Sequence, residues 1–83
     1  MAYKRLISAK KRTVGSKETL KAIERGQAKV VYVALGADRH VVEPIIQACA
    51  AKGIAVIEVD SMLALGKACR IEVGCASAAV VEE

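Results

Sequence analysis

Apolar positions along this chain switch between two spacings, and the switches divide it into eight blocks. Tyr3–Lys11 sets Leu6, Ile7 and Ala9 among Lys4, Arg5, Lys10 and Lys11, which predicts a short amphipathic helix with basic flanks. Thr13 and Val14 read as a brief extended piece before Gly15. Gly15 can take backbone angles that a side chain forbids. Ser16 is then a natural N-cap for a helix running to about Arg25. Thr19 stands where a capping-box Glu would be, so that motif is incomplete. Leu20, Ala22 and Ile23 form the expected buried stripe, and Gly26 has the place of a C-terminal glycine.

Val30–Ala34 is an unbroken, mostly β-branched run, VVYVA, which predicts a strand covered on both faces. Gly36, Ala37 and Asp38 form the following loop. Val41–Lys52 reads as a helix with Pro44 in its first turn or so, where a missing amide donor is harmless. Ile45, Ile46, Ala48 and Cys49 give that helix its apolar faces, and Gly53 ends it. Ala55–Val59 predicts a second buried strand. Ser61 is placed to cap a helix from Met62 to about Arg70, with Leu63, Ala64, Leu65 and Ala68 available to pack. Arg70–Gly74 reads as a loop and Ala76–Val81 as the last strand. Alternation of this kind predicts an α/β fold, a three-layer α/β/α sandwich around a central four-stranded mixed sheet, with residues 1–83 as a single domain.

Composition sharpens the picture. Hydrophobic residues make up 54% of the chain while its only aromatics are Tyr3 and Tyr32, which fits a compact aliphatic core and excludes a disordered chain. Charge is divided unevenly. Residues 1–29 hold nine Lys or Arg against Glu18 and Glu24, whereas residues 30–83 hold four against seven acids. A basic end on a near-neutral body points to a polyanion partner, or else to a solvated lysine-rich face.

Several function classes drop out. The three cysteines, Cys49, Cys69 and Cys75, form no CxxC pair, and with one histidine a four-ligand zinc site is implausible. They read as buried reduced thiols, in keeping with a cytoplasmic protein. The N-terminus lacks the apolar run of a signal peptide, and nothing approaches the length of a membrane span. His40 stands beside Asp38 and Arg39 with no catalytic partner in view, no nucleophile elbow is present, and the acids form no acid–base pair. Leu65-Gly66-Lys67 resembles the tail of a phosphate-binding loop, but Ser61 and Ala68 stand where that motif needs glycine and a hydroxyl. The expectation is a non-enzyme without cofactor, metal or small-molecule substrate.

Two segments carry unusual surface chemistry. In Gly15–Lys21, free amides at a helix start lie beside Lys17 and Lys21 and attract phosphate through the helix dipole. Lys17, Lys21 and Arg25 fall at a spacing of four, which stacks like charges on one face at roughly 0.2–0.5 kcal/mol of repulsion per pair. The alternative reading is an ordinary capped helix. In Arg70–Gly74, Ile71 and Val73 flank Glu72. A carboxylate there can accept from a base amino group while the aliphatics cover an unstacked base, as single-stranded or distorted RNA offers. The alternative is that Ile71 and Val73 plug the end of the sheet.

The succession VGSKETLKAIERGQAK, VVYVALGAD, GIAVIEVDSMLALGKACRIEVG and ASAAVV resembles the kink-turn-binding ribosomal protein family, of the large-subunit L-seven-Ae and L-thirty-e type. The resemblance implies an α/β/α sandwich that binds a sharply bent internal RNA loop with tandem sheared G·A pairs. It implies that Gly15, Ser16, Lys17, Glu18 and Lys21 enter the groove and touch guanine edges and nearby phosphates, with Arg25 adding a phosphate contact. By the same resemblance the Arg70–Gly74 loop, through Ile71, Glu72, Val73 and Gly74, covers the extruded nucleotide. The archaeal form of the motif commonly has Asn and Thr where this chain has Lys17 and Leu20. Lysine donates to guanine acceptors but cannot accept as asparagine can. The expected partner is a kink-turn in ribosomal or structured leader RNA, with the ribosome itself a possible partner, bound by a monomer in the cytoplasm. A protein-interaction scaffold and an accessory domain of an RNA-modifying enzyme are the competing readings.

Overall fold

A computed structural model describes residues 3–83. Its elements follow in the predicted order: α1 (Lys4–Ser8), β1 (Lys11–Val14), α2 (Ser16–Glu24), β2 (Val30–Ala34), α3 (Arg39–Lys52), β3 (Ala55–Val59), α4 (Met62–Ala68) and β4 (Ser77–Glu82). The four strands lie in the order β1-β4-β2-β3. The last strand is antiparallel to both of its neighbours, and β2 and β3 are parallel, so the sheet is mixed as expected.

Strand alternation sorts the core into two layers. Val30, Tyr32 and Ala34 of β2 face Leu6 of α1 and Leu65 and Ala68 of α4. Val31 and Val33 face Ala22 and Ile23 of α2 and Val42, Ile45 and Cys49 of α3. In β4, Ala78 and Val80 join the first layer and Ala79 the second, all without exposed surface. Small side chains in this inner strand leave room for the helices to lie close to the sheet. Ile23, also fully buried, fixes α2 to that layer with about 1.5–3 kcal/mol of apolar burial.

The structure corrects several local expectations. The first helix ends at Ser8, because Lys11 and Arg12 pair with Glu82 and Val80 as the start of β1. Arg12 then reaches back, its guanidinium donating to the Leu6 carbonyl at 3.1 Å, and so closes the C-terminal end of α1. Thr19 rather than Leu20 is fully buried in α2, its hydroxyl 2.8 Å from that of Thr13. The third helix begins at Arg39, where the Asp38 carboxylate accepts from the His40 amide at 2.8 Å. Pro44 therefore falls in the second turn and leaves the His40 carbonyl without its helical donor. β3 is not buried on both faces. It is the outer strand, with Ala55 and Glu58 exposed and only Val59 fully enclosed. In α4, Leu63 stays 54% exposed, so Leu65 and Ala68 carry the packing.

Candidate nucleic-acid interface

Gly15 turns the chain from β1 into α2 with φ 92° and ψ 158°, a left-handed conformation that suits glycine. Its amide donates to the Ser77 carbonyl at 2.9 Å. Ser16 is not the N-cap, as the sequence led one to expect; Gly15 is, and the Ser16 hydroxyl accepts instead from Ser77 at 3.1 Å. The cap residue has no side chain to offer, so the first-turn amides of α2 are left to an outside acceptor at the positive end of the helix. Lys17, Glu18 and Lys21 project from this turn and are exposed. Lys21 Nζ stands 3.8 Å from Glu18 Oε1. A pair this open is worth at most about 1 kcal/mol and is readily exchanged for a phosphate and a base donor.

The second segment begins where α4 ends. Arg70 has φ 64°, the one non-glycine residue in the left-handed region among those described. Its amide donates to the Lys67 carbonyl and that of Ile71 to the Gly66 carbonyl, both at 3.0 Å. The two bonds form a Schellman closure with arginine where glycine is usual. The following loop lies against the helix backbone, because a Cβ on Gly66 would overlap the Val73 carbonyl oxygen. Ile71 is half-buried against the α1/α4 layer, whereas Val73 is 68% exposed and Glu72 also faces outwards. The two aliphatics therefore have different roles: Ile71 closes the end of the core, and Val73 is free to meet a partner. Arg70→Gly should relieve the left-handed strain and raise stability by about 0.5–1 kcal/mol. Thermal melting reads this directly, and a lower melting point would show that the arginine side chain contributes more than its backbone costs.

Ser77 brings the two segments together. Its carbonyl accepts from the Gly15 amide and from the Cys75 thiol, each at 2.9 Å. The Cys75 amide also donates to the Met62 carbonyl at 2.9 Å, which ties the exit of the loop to the start of α4. Cys69, at the entrance of the loop, is buried; its hydrogen bond with Cys75 and its burial push its thiol up. Both thiols are unpaired by any disulfide. The start of Gly15–Lys21 and the exit of the Arg70–Gly74 loop are thus tied to one hydrogen-bonded junction. Arg25 does not join them there. Eight residues beyond Lys17, or about 12 Å along the helix, it lines a cleft between α2 and β1.

Three features were absent from the sequence-based site. Gly66 had a signal, since a mid-helix glycine costs about 1 kcal/mol relative to alanine and so needs a packing reason. The Thr13–Thr19 bond and the place of Lys10 and Lys11 in one cleft with Arg25 had none, because both depend on how β1 lies against α2. Among the described residues there is no cluster of His, Cys, Asp or Glu able to hold a metal, and no helix long and apolar enough to cross a membrane.

Fold and surface together define an α/β/α protein that offers an open, cation-flanked face beside an aliphatic loop. The family model described as "Ribosomal protein L7Ae/L30e/S12e/Gadd45 family" matches residues 2–83, and the chain belongs to that family. It is 40% identical over 81 residues to the RNA-binding protein YbxF of Geobacillus stearothermophilus, covering 98% of this chain and 99% of that protein. It is 48% identical over 71 residues to an RNA-binding protein of Caldanaerobacter subterraneus, covering 86% and 87% respectively. Among solved structures, the 15.5kD RNA binding protein of Giardia lamblia superposes with a TM-score of 0.86 at 32% identity, covering 98% of this chain and 68% of that one. The α/β/α reading and the family resemblance both stand. Membership in this family makes the chain a binding protein without catalytic chemistry of its own.

Proposed function

We propose that this protein binds RNA and stabilises kink-turns. The observation that carries the reading is the junction at Ser77, which ties a lysine-flanked helix start with no side-chain cap to the exit of the loop that carries the outward-facing Glu72 and Val73. In this reading the first amides of α2 and the ammonium groups of Lys17 and Lys21 meet phosphates across the bend. Glu18 is an acceptor and suits the amino group of a guanine in a sheared pair. Val73 covers the unstacked nucleotide, with Ile71 supporting it from the core, Glu72 accepting from the base and Gly74 closing the loop. Ser16 is committed to Ser77 and serves by positioning its backbone amide, and Arg70 adds charge at the edge of the loop. The names of the relatives from Geobacillus and Caldanaerobacter support the RNA partner.

Stabilising a bend requires binding the bent state better than the extended one. The rigid junction supplies that difference, because its two halves cannot separate to follow a straight duplex. The protein acts as a monomer and single domain in the cytoplasm, on a kink-turn of ribosomal or leader RNA. A gel-shift titration at fixed salt, on a kink-turn and on the same RNA with its G·A pairs made Watson–Crick, tests the reading. Affinity is expected to fall by about 100-fold on the second RNA, equivalent to about 2.7 kcal/mol. Equal affinity for both would overturn kink-turn recognition, and no affinity for either would favour a role in docking protein.

A further inference from the structure

Resting on that reading, we propose that the cleft between β1 and α2 is a second phosphate-binding surface, which holds the backbone of the duplex stem leaving the bend. The cleft is shallow and widely open to solvent, with a volume of about 510 Å³. Lys10, Lys11 and Arg12 line one wall and Lys21 and Arg25 the other, with Glu18 as the single acid at the end nearest the start of α2. β1 is the outer strand of the sheet, so no further strand covers its open side. Charged residues on such an edge also keep it from pairing with another chain.

Not every cation in the cleft is available. Arg12 is spent on the carbonyls of Leu6 and Ile7, at 3.1 and 3.5 Å. Lys11 stands 3.9 Å from Glu82, an open pair with 74% and 52% of the two side chains exposed, which a phosphate can displace. Lys10 and Arg25 have no ion-pair partner among the described residues. Lys10, Lys11, Arg25 and, once it leaves its open pair with Glu18, Lys21 therefore gather positive charge along one open groove, which raises the local concentration of anions beside it.

The chemistry of the lining selects the kind of anion. An unpaired strand is held by stacking its bases on aromatic side chains. Neither Tyr3 nor Tyr32 lines this cleft, so it has no platform for bases. A regular RNA duplex is recognised through its shape and phosphates, which is what a row of cations can read. The cleft also shares Glu18 and Lys21 with the proposed groove element, so a strand seated on the start of α2 passes directly into it.

The test compares two lengths of one kink-turn RNA, one with a full flanking stem and one with that stem cut back to the G·A pairs. For the unaltered protein the long stem is expected to bind about tenfold tighter, with a salt slope steeper by about one for each added phosphate contact. In Lys10→Ala/Lys11→Ala the ratio of long-stem to short-stem affinity should fall towards one. Both lysines are exposed, and a melting curve checks that the variant is folded. A ratio near one in the unaltered protein, or a tenfold ratio kept in the variant, would overturn the proposal. Failure of the kink-turn reading looks different: the long RNA with Watson–Crick pairs would then bind as well as the parent, while the stem-length ratio still decides the role of the cleft.

Discussion

Gly66→Ala should be the most damaging addition of a single methyl group near the interface, lowering stability by about 3 kcal/mol. The new Cβ would overlap the Val73 carbonyl oxygen and lie 3.2 Å from its carbonyl carbon. Both obstacles are backbone, so no side chain can rotate away. Gly66 itself is buried and held in α4, whose carbonyl at this position accepts from the Ile71 amide at 3.0 Å. Relief must come from lifting Ile71–Gly74 off the helix, which draws Ile71 out of the core and loosens the Cys75–Ser77 junction. For a domain of this size the loss corresponds to a melting point about 12–24 °C lower. RNA binding, measured well below the new melting point, should fall as well, because Val73 would leave its place on α4. A melting point within a few degrees of the unaltered protein would show that the loop is not seated on the helix as described.

Gly66 also marks where sequence stops informing structure. Periodicity placed all eight elements in order, because β2 and the helices α2 and α3 carry strong and unambiguous patterns. It misjudged β3, since an apolar run reads the same in the middle of a sheet as at its rim, and only the strand order exposes Ala55 and Glu58. Ser16 had the chemistry of an N-cap, yet its hydroxyl was claimed by Ser77, 61 residues away. Thr19 looked like a defective capping box and is instead a buried hydroxyl matched by Thr13. In each case the way one element packs against another overrode a sound local rule. The candidate interface divides the same way. Motif and charge singled out Gly15–Lys21 and Arg70–Gly74, but their meeting at one carbonyl depends on how β4 inserts beside β1. The separate fates of Ile71 and Val73, which alternation could not resolve, follow from the left-handed turn at Arg70.

Lys21→Glu should abolish most RNA binding while leaving the fold intact, the opposite profile to Gly66→Ala in stability and the same in affinity. Lys21 is the cation common to the start of α2 and to the β1–α2 cleft, so its charge acts on both parts of the proposed surface. Its Nζ lies 3.8 Å from Glu18 Oε1, and the substitution would set two carboxylates in that place. Repulsion would then drive Glu18 away from the base edge it is proposed to read, while the local field on a nearby phosphate changes sign. Loss of a charge-assisted hydrogen bond accounts for about 1.5–3 kcal/mol, which alone is roughly 10- to 150-fold in affinity. With the added repulsion the expected loss is about 100-fold or more, accompanied by a salt slope shallower by at least about one. Stability should change little, within about 0.5 kcal/mol, since the side chain is half exposed and anchors nothing in the core. Titrations at several salt concentrations, paired with a melting curve, separate the two contributions. A shallower slope with unchanged preference for G·A pairs would confine Lys21 to phosphate contact. A lost preference would show that it also holds Glu18 in register with the guanine. Unchanged affinity at low salt would remove Lys21 from the interface, and with it the link between the groove element and the cleft.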